Sequence, residues 1–481
     1  MTDKRAEMTD KRAEMTEAPA DKQRLDALTA LDNAKFSKSH VKAILVASSG
    51  FFVDSYDSFV IGLMVPMIAY EYFDKSSLTS RADGWVKAAS SYGNAVGQIS
   101  FAILGDILGR KRIYGIELMV LIGGALLCAF ASWPVNGDAN NLLILLAIWR
   151  FVLGVGIGGD YPVSAVITSE FASAKRRGTM IATVFAMQGF GIIAGAVMAI
   201  IVLAAAKDSI LESGASSLGY CWRTLAAFGA IPALAAVYWR LKIPETPRYA
   251  MDVLGDTEEG ARAATQFLQA DKITTDMYVK GDGKTGFFEN FSYSFKTYFN
   301  KWANLKVLIG CAAAWFFLDI GYYGTSLNTS VVLEIIGYGS PSSTGNQKIY
   351  DDLWNRSVDT AIINLAGTVP GYWFTVYFVD NSTGHGISAA SGKVGAIIAA
   401  QCFSVIAKGS FGFKGVLYIF AACCFFGLLF SFWVPETKNM TLEELSALDR
   451  EGIPNGDDID PSFKDIDQAY KAVQTPGASV Q

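Results

Sequence analysis

The chain has 481 residues, 51% hydrophobic and 18% charged, with a net charge of −5 and a mean hydropathy of +0.29. Soluble domains carry roughly 25% charged residues; here the charges gather between long apolar runs, which excludes an ordinary soluble enzyme and describes a polytopic membrane protein. Two histidines, six cysteines without metal or disulfide spacing, and no nucleophile constellation or nucleotide loop leave no enzymatic reading, no cofactor and no nucleic-acid partner to argue for.

Residues 1–42 open with the tandem "MTDKRAE MTDKRAE" and read as a disordered cytoplasmic tail without a cleavable signal. A helix needs about 20 residues to cross the hydrocarbon core. Ten runs qualify: 43–70, 85–108, 113–132, 142–168, 178–204, 222–242, 306–327, 358–380, 386–408 and 415–434. The clusters "GRKR" (109–112) and "AKRRG" (174–178) follow the second and fourth runs. They share a side with the N-terminus, and the positive-inside rule makes that side cytoplasmic. Residues 43–249 thus form an N-terminal half of six spans, 250–305 a cytoplasmic linker, and 306–446 a C-terminal half of four spans. Residues 447–481 read as an acidic, disordered cytoplasmic tail. The expected fold class is all-α, with both termini in the cytoplasm.

The halves repeat. "FFVD" (51–54) opens the first and "FFLD" (316–319) the second; "PETPRY" (244–249) and "PETKN" (435–439) close them. Asp54 to Pro244 is 190 residues and Asp319 to Pro435 is 116, a shortfall of 74, which is the length of two spans with their connections. The second half lacks a hairpin, and the join falls between "TVYFVD" and "NSTGHGISAASGK".

Ionisable residues inside apolar runs mark functional sites, because a carboxylate at the bilayer centre costs at least ~2.5–3.5 kcal/mol. Asp54 and Asp57 stand i, i+3 on one face, too close for both to stay ionised throughout. Asp57 can equally serve as a partner for Arg150 or as a helix-packing hydrogen bond. Trp315, Asp319 and Tyr323 stand i, i+4, i+8 on one face, which is either an aromatic packing stripe or the lining of a polar cavity. Asp319 favours the cavity. Lys393 lies about 10 Å by helix rise inside its span; it either snorkels to the interface or faces that cavity.

The chain resembles the major facilitator superfamily and, within it, the phosphate:proton symporters of fungi and plants. "GDILGRKR" (105–112) looks like the superfamily motif, and "RFVLGVGIGGDYPVSAVITSE" (150–170) runs into the phosphate-porter signature GGDYP. "GHGISAASGK" (384–393) and "AGTVPGYWFTV" (366–376) also fit. The departure is the missing hairpin, the family's ninth and tenth spans, which in the family supply an asparagine to the phosphate site.

The resemblance implies phosphate ligands at Tyr161, Gln188, Trp315, Asp319, Tyr323 and Lys393. Lys393 supplies the charge, the neutral side chains supply donors, and Asp319 donates when protonated. It implies a proton path through Asp54 and Asp160, with Asp57 and Asp319 as further proton-coupling candidates. Asp106, Arg110 and Arg150 are expected to be structural and gating, and Lys111 and Arg112 either join them or simply anchor the cytoplasmic side. Gly154, Gly156, Gly158 and Gly159 allow close helix packing. Glu245 and Glu436 are expected to pair with cytoplasmic basic clusters, and the sequon at Asn355 lies in an expected outside loop as a glycosylation candidate, whereas that at Asn381 faces the cytoplasm and stays bare.

The function implied is proton-coupled import of inorganic phosphate across the plasma membrane by alternating access, with phosphate, protons and the bilayer as partners. Two alternatives stay open: a facilitator porter for another anion, an organophosphate or a sugar, and a truncated, non-transporting membrane protein.

Overall fold

The structure is a computed structural model and describes residues 28, 31–32, 34–131, 139–242, 245–253, 257–268, 299–329, 332, 342–378 and 412–434. Helices are the regular structure throughout the described residues. The N-terminal half holds α1 (Lys38–Phe59), α2 (Ile61–Phe73), α3 (Ser80–Leu108), α4 (Arg110–Ala129), α5 (Ala139–Phe171), α6 (Arg177–Ala205), α7 (Lys207–Ser213), α8 (Leu218–Phe228) and α9 (Ala230–Arg240). A further helix, α10 (Thr257–Leu268), follows, and then α11 (Trp302–Ser326), α12 (Gly345–Ile363), α13 (Val369–Phe378) and α14 (Gly412–Ser431).

Among the described residues, seven helices are long and apolar enough to cross a membrane: Lys38–Phe73, Arg110–Ala129, Ala139–Phe171, Arg177–Ala205, Lys207–Arg240, Trp302–Ser326 and Lys414–Ser431. Each falls on an expected span. The expected span 85–108 lies in α3, which is long enough but carries Lys87, Asn94 and Gln98 in its interior. The expected span 358–380 meets the end of α12, a π-helical turn over Asn364–Thr368 and α13. The span expected at 386–408 lies outside the described residues.

Lipid offers no hydrophobic drive between helices, so close packing must come from shape. Gly93 and Gly97 on α3 face Gly154 and Gly158 on α5, and a Cβ on any of the four would run into backbone of the other helix. On the other side of α5, a Cβ at Gly156 would reach the Leu121 amide of α4, and one at Gly159 would press on Glu117 and Phe101. The expected role of the α5 glycines is what the packing displays. Gly109 turns the chain from α3 into α4 at φ 93°, and a side chain there would meet Glu245 Oε2 at 2.7 Å.

The halves meet along α6, which lies against α12 and α13. Further links sit at the end of the bundle opposite the basic clusters. Tyr70 donates to Asp352 Oδ2 at 3.0 Å, Asn346 Nδ2 to the Leu211 carbonyl at 2.9 Å, and Lys87 Nζ to Asn328 Oδ1 at 3.1 Å. Asn355 is a correction. It lies inside α12, half-buried, and not in a loop, because the polar run 345–357 is a helix laid on α6 and α7.

Candidate functional site

The N-terminal half encloses a charged core. Arg240, at the end of α9, is fully buried and grips two carboxylates: Nη1 meets Glu117 Oε1 at 2.7 Å and Nη2 meets Asp160 Oδ2 at 2.5 Å. The Tyr114 ring lies under its guanidinium, 4.1 Å from the centroid. Ser164 donates to Asp160 Oδ1 and lies 3.0 Å from the Tyr114 hydroxyl. Gly50 makes room for this cluster, since a Cβ there would collide with both Arg240 and Asp160.

Asp54, one turn beyond Gly50, is wholly buried, and neither carboxyl oxygen has a hydrogen-bond partner. Asp160, Arg240, Asp57 and Glu117 lie within electrostatic reach of it. Asp57 is buried too, but Arg150 does not take its carboxylate by hydrogen bond. Arg150 Nη1 instead reaches the Asp57 carbonyl at 3.2 Å, and Nη2 reaches Ser90 Oγ at 2.9 Å. Arg150 therefore hydrogen-bonds the backbone of α1 and a side chain of α3, while acting on the Asp57 carboxyl through its charge and not through a hydrogen bond.

A second polar group crosses between the halves. Gln188 Nε2 donates to the Tyr161 hydroxyl at 2.8 Å, and Tyr372 donates to Gln188 Oε1 at 2.8 Å. The Tyr372 and Tyr322 hydroxyls are 3.1 Å apart, and Tyr323 hydrogen-bonds Tyr161. Tyr323 stacks on Phe59 with centroids 5.6 Å apart, and Trp315 lies 6.2 Å from Phe185, which packs near Tyr161. Asp319 is buried one turn before Tyr323. Tyr161, Gln188, Trp315 and Tyr323 are thus drawn together, with Asp319 on the same helix. Lys393 lies outside the described residues. The hydroxyls and the amide are neutral donors that can be re-aimed at an anion in a dry cavity without stranding a charge.

Sequence reasoning missed four members: Glu117, Arg240, Tyr322 and Tyr372. Glu117 and Arg240 carried the same signal as Asp54, a charge inside an apolar run. The two tyrosines carried none that separates them from packing aromatics.

At the basic end, Arg110 lies 3.6 Å from Glu170 and over the Tyr249 ring at 4.6 Å. Arg177 and Arg248 both hold Asp32, at 3.0 and 3.1 Å. Glu245 accepts the Lys111 backbone amide at 3.3 Å, a contact with the backbone of the basic cluster and not with its charged side chains. Asp106 lies in α3, and its side chain, like Glu436, is outside the described residues.

Comparison with known proteins gives this arrangement a family. The profile of the sugar (and other) transporter family matches residues 42–337, more than half of the chain. The chain belongs to that family. It is therefore a transporter of the major facilitator superfamily, not an enzyme. This transporter is 36% identical to a repressible high-affinity phosphate permease of Neurospora crassa, over 89% of its length and 90% of the permease's. It is 34% identical to the inorganic phosphate transporter PHO84 of Saccharomyces cerevisiae, over 92% and 89% of the two chains. It is 32% identical to a low affinity inorganic phosphate transporter of Petunia hybrida, over 92% and 99%. In fold it is similar to the partially occluded inward open xylose transporter XylE from E. coli, with a TM-score of 0.51 at 16% identity over 82% of this chain and 100% of that one. The all-α facilitator architecture read from the sequence is the architecture found.

Proposed function

We propose that this transporter imports inorganic phosphate together with protons across the plasma membrane by alternating access, both chain ends lying in the cytoplasm. The observation that carries the reading is the Tyr161–Gln188–Tyr372 chain, which spans both halves where the resemblance puts phosphate ligands. The relatives named as phosphate transporters and the GGDYP run at 158–162 favour phosphate over a sugar.

Anion import against the membrane potential needs a co-transported cation, and the buried carboxyls favour the proton. Moving one negative charge inward against 100 mV costs about 2.3 kcal/mol, and protons carried along offset it. Among the described residues of the N-terminal half, the carboxyl groups at most 2% exposed are Asp54, Asp57, Glu117 and Asp160, and the guanidiniums at most 2% exposed are Arg150 and Arg240. Asp54 has no hydrogen-bonded counter-charge, so it is the carboxyl best placed to take up and release a proton, with Asp160 next on the path. By the resemblance, phosphate on Lys393 would occupy that counter-charge and favour the protonated, donating form of Asp319. This links anion and proton. Asp57 enters as a further proton site, and Asp106 and Arg110 as parts of the cytoplasmic gate.

The test is labelled phosphate uptake driven by an imposed pH gradient, in a version with a facilitator hairpin of about 74 residues inserted between Asp380 and Asn381, the shortfall between the halves. Asp54→Asn and Asp160→Asn should each abolish accumulation per surface molecule, with surface amount measured in parallel because Asp160→Asn also takes one partner from the buried Arg240. Parent-like accumulation by both would remove these residues from the mechanism. Arsenate should compete and glycerophosphodiesters should not; the reverse would move the substrate to an organophosphate.

A second reading, a non-transporting membrane protein, has its own support. The alignments to the Neurospora and yeast proteins run over 521 and 540 positions, more than the 481 residues of this chain, so they carry gaps on its side.

A further inference from the structure

Lys87 sits two turns into α3, 2% exposed, in a membrane-length helix. All three of its N–H groups are accounted for. Nζ lies 2.8 and 2.9 Å from the two carboxyl oxygens of Asp83, one turn earlier on the same helix, and 3.1 Å from Asn328 Oδ1 in the other half. Asn328 is wholly buried, and its Nδ2 donates back to the Gly324 carbonyl at 3.0 Å. Gly324 follows Tyr323 on α11, the helix that carries Trp315, Asp319 and Tyr323. Close by, Phe59 of α1 faces the rings of Tyr322 and Tyr323 at 5.9 and 5.6 Å, and Leu63, Leu327 and Gly62 line a small cavity.

A buried ammonium satisfied by its own helix has its charge settled within one half. Its third hydrogen bond is then spent across the interface, on the end of the helix that bears the proposed ligands. We propose that Lys87, Asp83 and Asn328 form the lock that holds the outer end of the transporter shut, fixing α11 against α3 while the cavity is open to the other side. The proposal rests on the transport reading for sidedness only. When the halves part, Lys87 keeps Asp83 and gains water, so the lock opens by losing one charged hydrogen bond and no ion pair. That is a loss small enough for a reversible gate. Lys87 and Asn328 act through α11 as positioning residues and touch no phosphate.

The test places a reporter thiol by Leu63→Cys, a site 5% exposed in this closed end, in full-length protein whose six native cysteines are replaced. A membrane-impermeant methanethiosulfonate is applied from outside without phosphate, so the outcome does not depend on the substrate. Asn328→Ala should speed labelling on the order of tenfold, the weight of one hydrogen bond to a charged group. The double change Asp83→Asn with Asn328→Asp moves the counter-charge of Lys87 across the interface. It should slow labelling several-fold below the parent. Misfolding or a merely structural role can only expose the thiol, so slowing by the double variant supports the lock. Acceleration or no change in the double variant, or no acceleration in Asn328→Ala, overturns it.

Discussion

Arg240 is the residue on which the inner charge of the N-terminal half turns. Its two carboxylate partners, Glu117 and Asp160, come from different helices, and all three side chains are at most 1% exposed. Breaking a buried pair by removing one partner costs about 3–5 kcal/mol, because the remaining charges are left unpaired. Arg240→Gln should therefore lower stability by that amount, read as a falling Tm in detergent. Arg240→Lys, which keeps the charge but cannot fork to two carboxylates, should fall between it and the parent. Lys393 makes the opposite kind of prediction. As the proposed anion counter-charge, Lys393→Gln should weaken phosphate binding far more than it lowers Tm, and unchanged affinity in well-folded protein would take Lys393 out of the site.

At the scale of elements, the contact of α3 with α5 depends on paired glycines four residues apart on both helices. Gly158→Leu would drive a side chain into the Asn94 carbonyl and the Gln98 amide. Overpacking costs about 1–3 kcal/mol or more, so a clear drop in Tm and in surface amount is expected, with Gly123→Leu, where nothing lies within 4 Å of the added Cβ, as the silent control. The same helices show what was legible in the sequence. Asp54, Asp160 and Asp319 announced themselves because a charge in an apolar run needs a reason, and the structure buries all three. Glu117 and Arg240 obeyed the same rule and were passed over only because no motif drew attention to them. Tyr322 and Tyr372 were not legible: a tyrosine in a membrane helix looks the same whether its hydroxyl meets lipid headgroups or Gln188. Asn355 was misread because its polar neighbourhood resembles a loop, whereas tertiary packing on α6 makes it helix.

For the whole molecule, the question is whether a C-terminal half with four expected spans can close a cavity. In lipid every exposed backbone and charged side chain must be satisfied. Asp319 is buried in the described structure; on the proposed reading a further hairpin would wall the cavity it shares with Lys393, and each charge turned to lipid would cost several kcal/mol, comparable with the ~5–15 kcal/mol that holds a domain folded. The charged core of the N-terminal half is built from residues of that half alone, whereas the proposed cavity draws on both. The decisive measurement is labelled phosphate uptake per surface molecule, with and without a pH gradient, in cells stripped of their own phosphate porters, comparing the 481-residue chain with the hairpin-restored version. Gradient-dependent accumulation by the restored protein, with little or none by the 481-residue chain, is the predicted result. No phosphate uptake by the restored protein would contradict the assigned function, and robust uptake by the chain as it stands would contradict the reading of the gap as a lesion.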